Sequence, residues 1–256
     1  MLAGMITLVL EGALAVCTLS RAPVNAIDEP WLARLDEALA TVESAPGVGA
    51  LLVRSTERAF CAGADLALMR SRMDSAPGRG RMVAFVREIQ RVFARLERLA
   101  QVTLAEIGAS ALGGGLELAL CCDLRIAAGE ARLGLPETRL GLLPGAGGTQ
   151  RLTRIAGEAA AKRLILGAEV VSGAQALALG IVHWAVPAAE LAARARAVAG
   201  EIAALPPAAL AAAKRCIAAA AAPGADGYEL ELQATAALLA QEETQLRVRS
   251  FLEKRR

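Results

Sequence analysis

Three short segments carry the groups needed to move protons beside a developing negative charge. Gly113-Gly114-Gly115-Leu116-Glu117 is followed by Leu135-Pro136-Glu137, and upstream stands Phe60-Cys61-Ala62-Gly63-Ala64-Asp65. The carboxylates of Glu117 and Glu137 can supply a general base and a general acid. Small residues at Ala64 and Gly114 leave backbone N–H groups open to a ligand oxygen, as an oxyanion hole requires. The combination points to an enzyme that stabilises an enolate-like charge while relocating protons.

Each segment also has a plainer reading. A helix starting near Gly114 exposes unpaired N–H groups at the positive end of its dipole, with Glu117 about one turn along the same face. The same run fits a helix packed closely through glycines, with Glu117 merely complementing the dipole. Residues 60–65 fit a strand-to-helix turn capped by Asp65. Glu137 lies among Leu133, Leu135, Leu140 and Leu142, which would desolvate the carboxyl and raise its pKa; it also fits an exposed loop. Gly145, after Pro144, offers an amide that could hold a water, and Thr149-Gln150-Arg151 reads as capping and surface charge. The lone His183 and Cys61, Cys121 and Cys122 read as structural, for no partner pattern marks them as nucleophile or base. No dinucleotide GxGxxG or Walker lysine motif occurs.

The elements that must position these groups alternate in type. Residues 5–10 and 13–20 are β-prone runs around Glu11-Gly12, a hairpin signal. Trp31, Leu32, Leu35 and Leu39 form a helical stripe over 29–44. Strands are predicted at 48–55, 102–107, 123–128 and 181–186, with a short one at 132–135 and a loop at 56–63. Residues 66–99 read as helical, interrupted at 74–80 (Asp-Ser-Ala-Pro-Gly-Arg-Gly) by a flexible segment suited to covering a substrate. Residues 144–148 read as a loop opening a helix, with 149–151 in its first turn. From 188 onward the pattern is helical, with breaks at Pro206-Pro207 and Pro223-Gly224. The expected division is an α/β core at 1–187 and a helical region at 188–256; no sequence repeat of fixed period is visible.

Composition narrows the class. The chain has 256 residues, 55% apolar but only 3% aromatic, with a formal net charge of +2. That balance predicts no strong attraction to nucleic acid or membrane, although Arg247, Arg249, Lys254, Arg255 and Arg256 make a local basic cluster. Five cysteines without CxxC spacing predict neither a disulfide framework nor a zinc site, and favour a reducing, cytoplasmic location. No apolar run reaches the roughly 18–20 residues of a membrane span. Residues 1–10 look faintly like a signal segment but lack a basic lead.

With these segments assembled, the chain resembles the crotonase superfamily, its enoyl-CoA hydratase branch above all, over nearly the whole length. The resemblance rests on Leu19-Ser20-Arg21-Ala22-Pro23-Val24-Asn25-Ala26, on residues 59–66 and 111–118, on Leu135-Pro136-Glu137 with 141–149, and on Phe251-Leu252-Glu253-Lys254-Arg255. Family members usually read Ala-Ile-Asn-Gly where this chain has Glu106-Ile107-Gly108-Ala109. The resemblance implies an α/β spiral of ββα turns with a helical C-terminal region that trimerises, and a homotrimer or a hexamer of two trimers. It implies that the Ala64 and Gly114 amides hold a thioester oxygen, that Glu117 and Glu137 are the catalytic carboxylates, and that the Gly145 amide helps place water. Ala62, Gly63, Asp65 and Leu66 would line the site of the acyl-CoA substrate, with the Leu68–Met82 segment, carrying Met69 and Met73, shaping the acyl pocket. The reaction implied is hydration of a 2-trans-enoyl-CoA to a 3-hydroxyacyl-CoA, with no metal or redox cofactor. Sibling readings are an enoyl-CoA isomerase or a hydratase of branched or cyclic acyl-CoA. An RNA-binding member and an inactive scaffold fit less well, given the near-neutral charge and both carboxylates.

Overall fold

Hydrophobic runs too short for helices open the chain as a hairpin. In the computed structural model, which describes residues 4–222 and 224–253, β1 (Ile6–Glu11) pairs antiparallel with β2 (Leu14–Leu19). The start of β2 is apolar at every position because it is covered on both faces. It runs parallel to β3 (Ala50–Ser55), and the sheet continues through β5 (Val102–Ile107), β7 (Leu124–Ala128) and β10 (Trp184–Val186), all parallel. A second sheet holds the short strands β4 (Ala59–Cys61), β6 (Ser110–Leu112), β8 (Arg132–Gly134) and β9 (Val170–Ser172), the last antiparallel to its neighbour.

A long strand in one sheet, a short strand in the other and then helix is the repeating unit. β3 and β4 lead to α2 (Leu66–Met73) and α3 (Ala76–Arg98), and β5 and β6 lead to α4 (Gly114–Leu120). β7 and β8 lead to a 3-10 turn (Glu137–Leu140) and α5 (Gly148–Ile165). This is the ββα spiral expected. Its repetition lies in backbone path and not in side-chain identity, which is why no periodic sequence signal accompanies it.

Helix α1 (Glu29–Ser44) forms where predicted. Asp28 caps it by accepting the Trp31 amide at 2.9 Å, and Trp31, Leu32, Leu35, Leu39 and Val42 bury one stripe. The segment at 74–80 departs from expectation: only Asp74 and Ser75 interrupt the helices, and Ala76 to Gly80 open α3 with Pro77 in its first turn. Proline is tolerated there because a first-turn N–H needs no intrahelical acceptor, and Ser75 Oγ accepts the Gly78 amide at 3.1 Å.

After α6 (Gly173–Ala178), α7 (Ala188–Ala203) lays Leu191, Ala195, Val198 and Ala199 on the long sheet. Helices α8 (Pro207–Ala219), α9 (Gly227–Leu239) and α10 (Glu242–Glu253) follow, the last two without a buried residue. Among the described residues no single helix is long and apolar enough to cross a membrane. Pro223 of the expected break, and Lys254, Arg255 and Arg256 of the basic cluster, lie outside the described residues.

Candidate active site

The turn from β4 into α2 is held from two sides. Buried Asn25 donates from Nδ2 to Ser55 Oγ at 2.8 Å and to the Phe60 carbonyl at 3.0 Å. Arg21 bridges Asp28 at 2.7 Å and Asp65 at 3.2 Å. Asp65 also caps α2, accepting the Ala67 and Leu68 amides, and these donors with Arg21 hold its carboxyl below the usual range. Between them Ala64 sits opposite Ile27 in an isolated parallel bridge. The bonds of that bridge use the neighbours, Ile27 N to Gly63 O at 2.8 Å and Asp65 N to Ile27 O at 2.9 Å, leaving the Ala64 amide out of the pairing.

Helix α4 arrives at the same point. A Cβ on Gly115 would lie 1.9 Å from the Cys61 carbonyl oxygen, so only glycine lets the helix seat against the end of β4. Gly113 spends its own amide on Gly134 O at 3.0 Å. Gly114, the first helical residue, has no intrahelical acceptor for its N–H. A Cβ built on it would lie 3.3 Å from Gly63 Cα and 3.5 Å from Ala64 N. The two predicted amide donors are therefore side by side.

Both acids reach this place. Glu117, 2% exposed, accepts the Gly148 amide on Oε1 at 2.7 Å. Burial pushes its carboxyl up to about 7; the Gly148 amide opposes the rise and the Glu137 charge adds to it. Glu137 begins the 3-10 turn, with Oε1 2.9 Å from where a Gly113 Cβ would stand. Burial raises its carboxyl too, and Oε2 is buried without a hydrogen-bond partner.

A cavity of about 510 Å³ unites them. Ala62, Gly63, Ala64, Leu66, Gly114, Glu117, Glu137 and Gly145 all line it. Asp65 does not; its carboxylate is committed to the cap and to Arg21. Met69 and Met73 of α2 line the cavity as expected, joined by Met82, Val83, Val86 and Ile89 on one face of α3. Two acids and a pair of open amides at the base of an apolar chamber suit proton transfer to a substrate whose carbonyl gathers charge.

Three contributors were missed from sequence. The cavity face of α3 beyond Met82, where the expected pocket segment ended, was legible in the spacing of positions 82, 83, 86 and 89. The Gly148 amide carried no signal, because its partner is remote in the chain. Arg151, expected as surface charge, is 7% exposed and paired with Glu97 of α3 at 2.8 Å. His183 stays out of the cavity, its Nδ1 accepting the Arg125 amide at 3.1 Å. Cys61, Cys121 and Cys122 are buried, with burial raising their thiols, to about 12 for Cys61 and Cys122.

Comparison with known proteins gives a consistent result. The sequence model described as enoyl-CoA hydratase/isomerase matches residues 10–256. The short-chain-enoyl-CoA hydratase of Clostridium acetobutylicum is 38% identical over 209 residues, 81% of this chain and 78% of that protein. The crotonyl-CoA hydratase of Syntrophomonas wolfei is 38% identical over 194 residues, 75% and 73% of the two chains. The crystal structure of an enoyl-CoA hydratase from Bacillus anthracis superposes with a TM-score of 0.90 at 33% identity, covering 98% of this chain and 96% of the other.

Proposed function

The chain belongs to the enoyl-CoA hydratase/isomerase family, and on that footing we propose that it adds water reversibly across the 2-trans double bond of an acyl-CoA thioester. The observation that carries the reading is the meeting of Glu117, Glu137 and the Ala64 and Gly114 amides in one cavity. The amides receive the thioester oxygen. Glu117 takes a proton from water, held also by the Gly145 amide, as its oxygen bonds to C3. The C2=C3 electron pair moves toward the carbonyl oxygen, and Glu137 delivers a proton to C2. Proton exchange between the two acids restores the starting state. No electrons leave the substrate, so the reaction calls for no redox cofactor, and the amides do the work a Lewis acid would do.

The assignment of Glu117 as base is supported by the Gly148 amide, which favours its charged form, and that of Glu137 as acid by its buried Oε2, which has no partner; burial raises both carboxyls. The five free cysteines support a reducing, cytoplasmic setting.

The test is loss of the enoyl-thioester ultraviolet absorbance, starting with crotonyl-CoA and extending to longer, branched and cyclic acyl groups. Glu117→Gln and Glu137→Gln should each lose about 10²–10⁴-fold in kcat with circular dichroism unchanged. Full activity in either variant overturns the assignment. Migration of a 3-enoyl double bond without water addition would place the chain with the isomerases instead.

A further inference from the structure

Behind the cavity, residues 144–148 wrap Glu117, and α3 grips that loop twice. Gln90 Nε2 donates to the Gly145 carbonyl at 2.6 Å. Two turns along the same helix face, Glu97 Oε2 accepts from Arg151 Nε at 3.0 Å and Nη2 at 2.8 Å. The remaining arm of the guanidinium, Nη1, donates to the Ala146 carbonyl at 2.9 Å. Gly147 has φ of 107°, and a Cβ there would fall 2.2 Å from Arg151 Nη1, so the loop is moulded around the guanidinium. The next residue is Gly148, whose amide holds Glu117. Arg154 also pairs with Glu97, at 2.7 Å, steadying the acceptor.

We propose that Arg151, anchored on Glu97, is a positioning residue for hydration: it fixes the 144–148 loop so that the Gly148 amide sets the aim of Glu117 and the Gly145 amide stays in place for water. This rests on Glu117 being the base. A planar fork is needed because one side chain must bind a carboxylate and a carbonyl at once, which a lysine ammonium cannot do in the same fixed geometry. The charged and titratable groups around Glu117 are Glu137 across the cavity, Arg151 and Glu97 behind the loop, and the Cys121 thiol one turn along α4. Of these, Arg151 is the cation that favours the Glu117 carboxylate.

The experiment compares wild type, Arg151→Lys, Arg151→Met and Glu97→Gln with crotonyl-CoA, measuring kcat, KM and the pH dependence of kcat/KM, normalised to folded protein. Arg151→Met should lower kcat about 10²-fold with KM changed less than threefold, and should move the limb that rises with pH to higher pH. Arg151→Lys should keep that limb near its wild-type position while kcat still falls about tenfold. Glu97→Gln, which retains an acceptor, should fall between wild type and Arg151→Met, and decides the matter if Arg151→Met does not fold. A purely structural role would reduce the folded fraction without moving the pH limb or the kcat of what remains folded; that result overturns the proposal. Wild type without hydratase activity would instead overturn the reading on which it rests.

Discussion

Glu117 is held by the Gly148 amide at 2.7 Å, while Glu137, facing it across the cavity, keeps Oε2 buried with no partner. Two acids of identical type are thus placed in unlike surroundings, and burial raises both carboxyls, that of Glu117 to about 7. In the proposed hydration the productive state carries a single proton for the pair, on Glu137.

That arrangement fixes the shape of the pH profile. With Glu117 pushed up to about 7, kcat/KM for crotonyl-CoA should rise as pH climbs through about 7, then fall once the pair loses its remaining proton. Both limbs are properties of the pair. Glu137→Gln removes the proton whose loss gives the falling limb, so its residual activity should keep the rising limb near about pH 7 and show no falling limb. A profile flat between about pH 5 and 9 would contradict the assignment.

Stability should move with the same proton. The folded-state carboxyl of Glu117 lies above its ordinary value of 4.5, so its stabilising contribution is full below about 4.5 and is lost as pH rises through about 7. At pH 8 the buried charge costs on the order of 3 kcal/mol. Glu117→Gln keeps an oxygen to accept the Gly148 amide and removes that cost. It should therefore melt several degrees above wild type at about pH 8, with the gain shrinking toward pH 5. Equal melting temperatures across the range would show that Glu117 is not desolvated in solution.

The parts readable from sequence were those whose cause is local. The Trp31, Leu32, Leu35 and Leu39 stripe announces α1, and the apolar run that opens β3 announces a buried strand. Glycines beside Glu117 and small residues around Ala64 announce close backbone approach. What stayed hidden depends on distant partners. β4, β6 and β9 are three residues each and acquire strand form only by pairing across the second sheet. Arg151 reads as a surface cation until Glu97, 54 positions earlier, is brought beneath it. Residues 74–80 look flexible by composition, yet Ser75 and Pro77 are what the start of a helix accepts.

The amide pair can be probed without touching either acid. In Gly114→Ala the added Cβ stands 3.2 Å from Ile27 Cδ1 and 3.5 Å from Ala64 N, inside the space a substrate oxygen would occupy. The fold can absorb a few tenths of an ångström at Ile27, but the oxygen cannot share the position. Hydration should fall about 10²–10³-fold in kcat, the magnitude of a lost oxyanion donor. A variant with undiminished kcat would place the oxyanion elsewhere.

The exposed C-terminal helices make the last prediction. In α9, Tyr228, Leu232 and Leu239 are exposed on one side of the helix, and none of its residues is buried. A contiguous apolar face of this kind is costly in a solvated monomer and is removed from water by self-association. We propose that copies of this chain meet through α9 as a homotrimer or a hexamer. Sedimentation equilibrium should return three or six times the 26.4 kDa chain mass, and Leu232→Glu should shift it toward the single chain because a carboxylate would be desolvated at the contact. A wild-type mass of one chain at micromolar concentration would leave α9 solvated and remove the case for assembly through it.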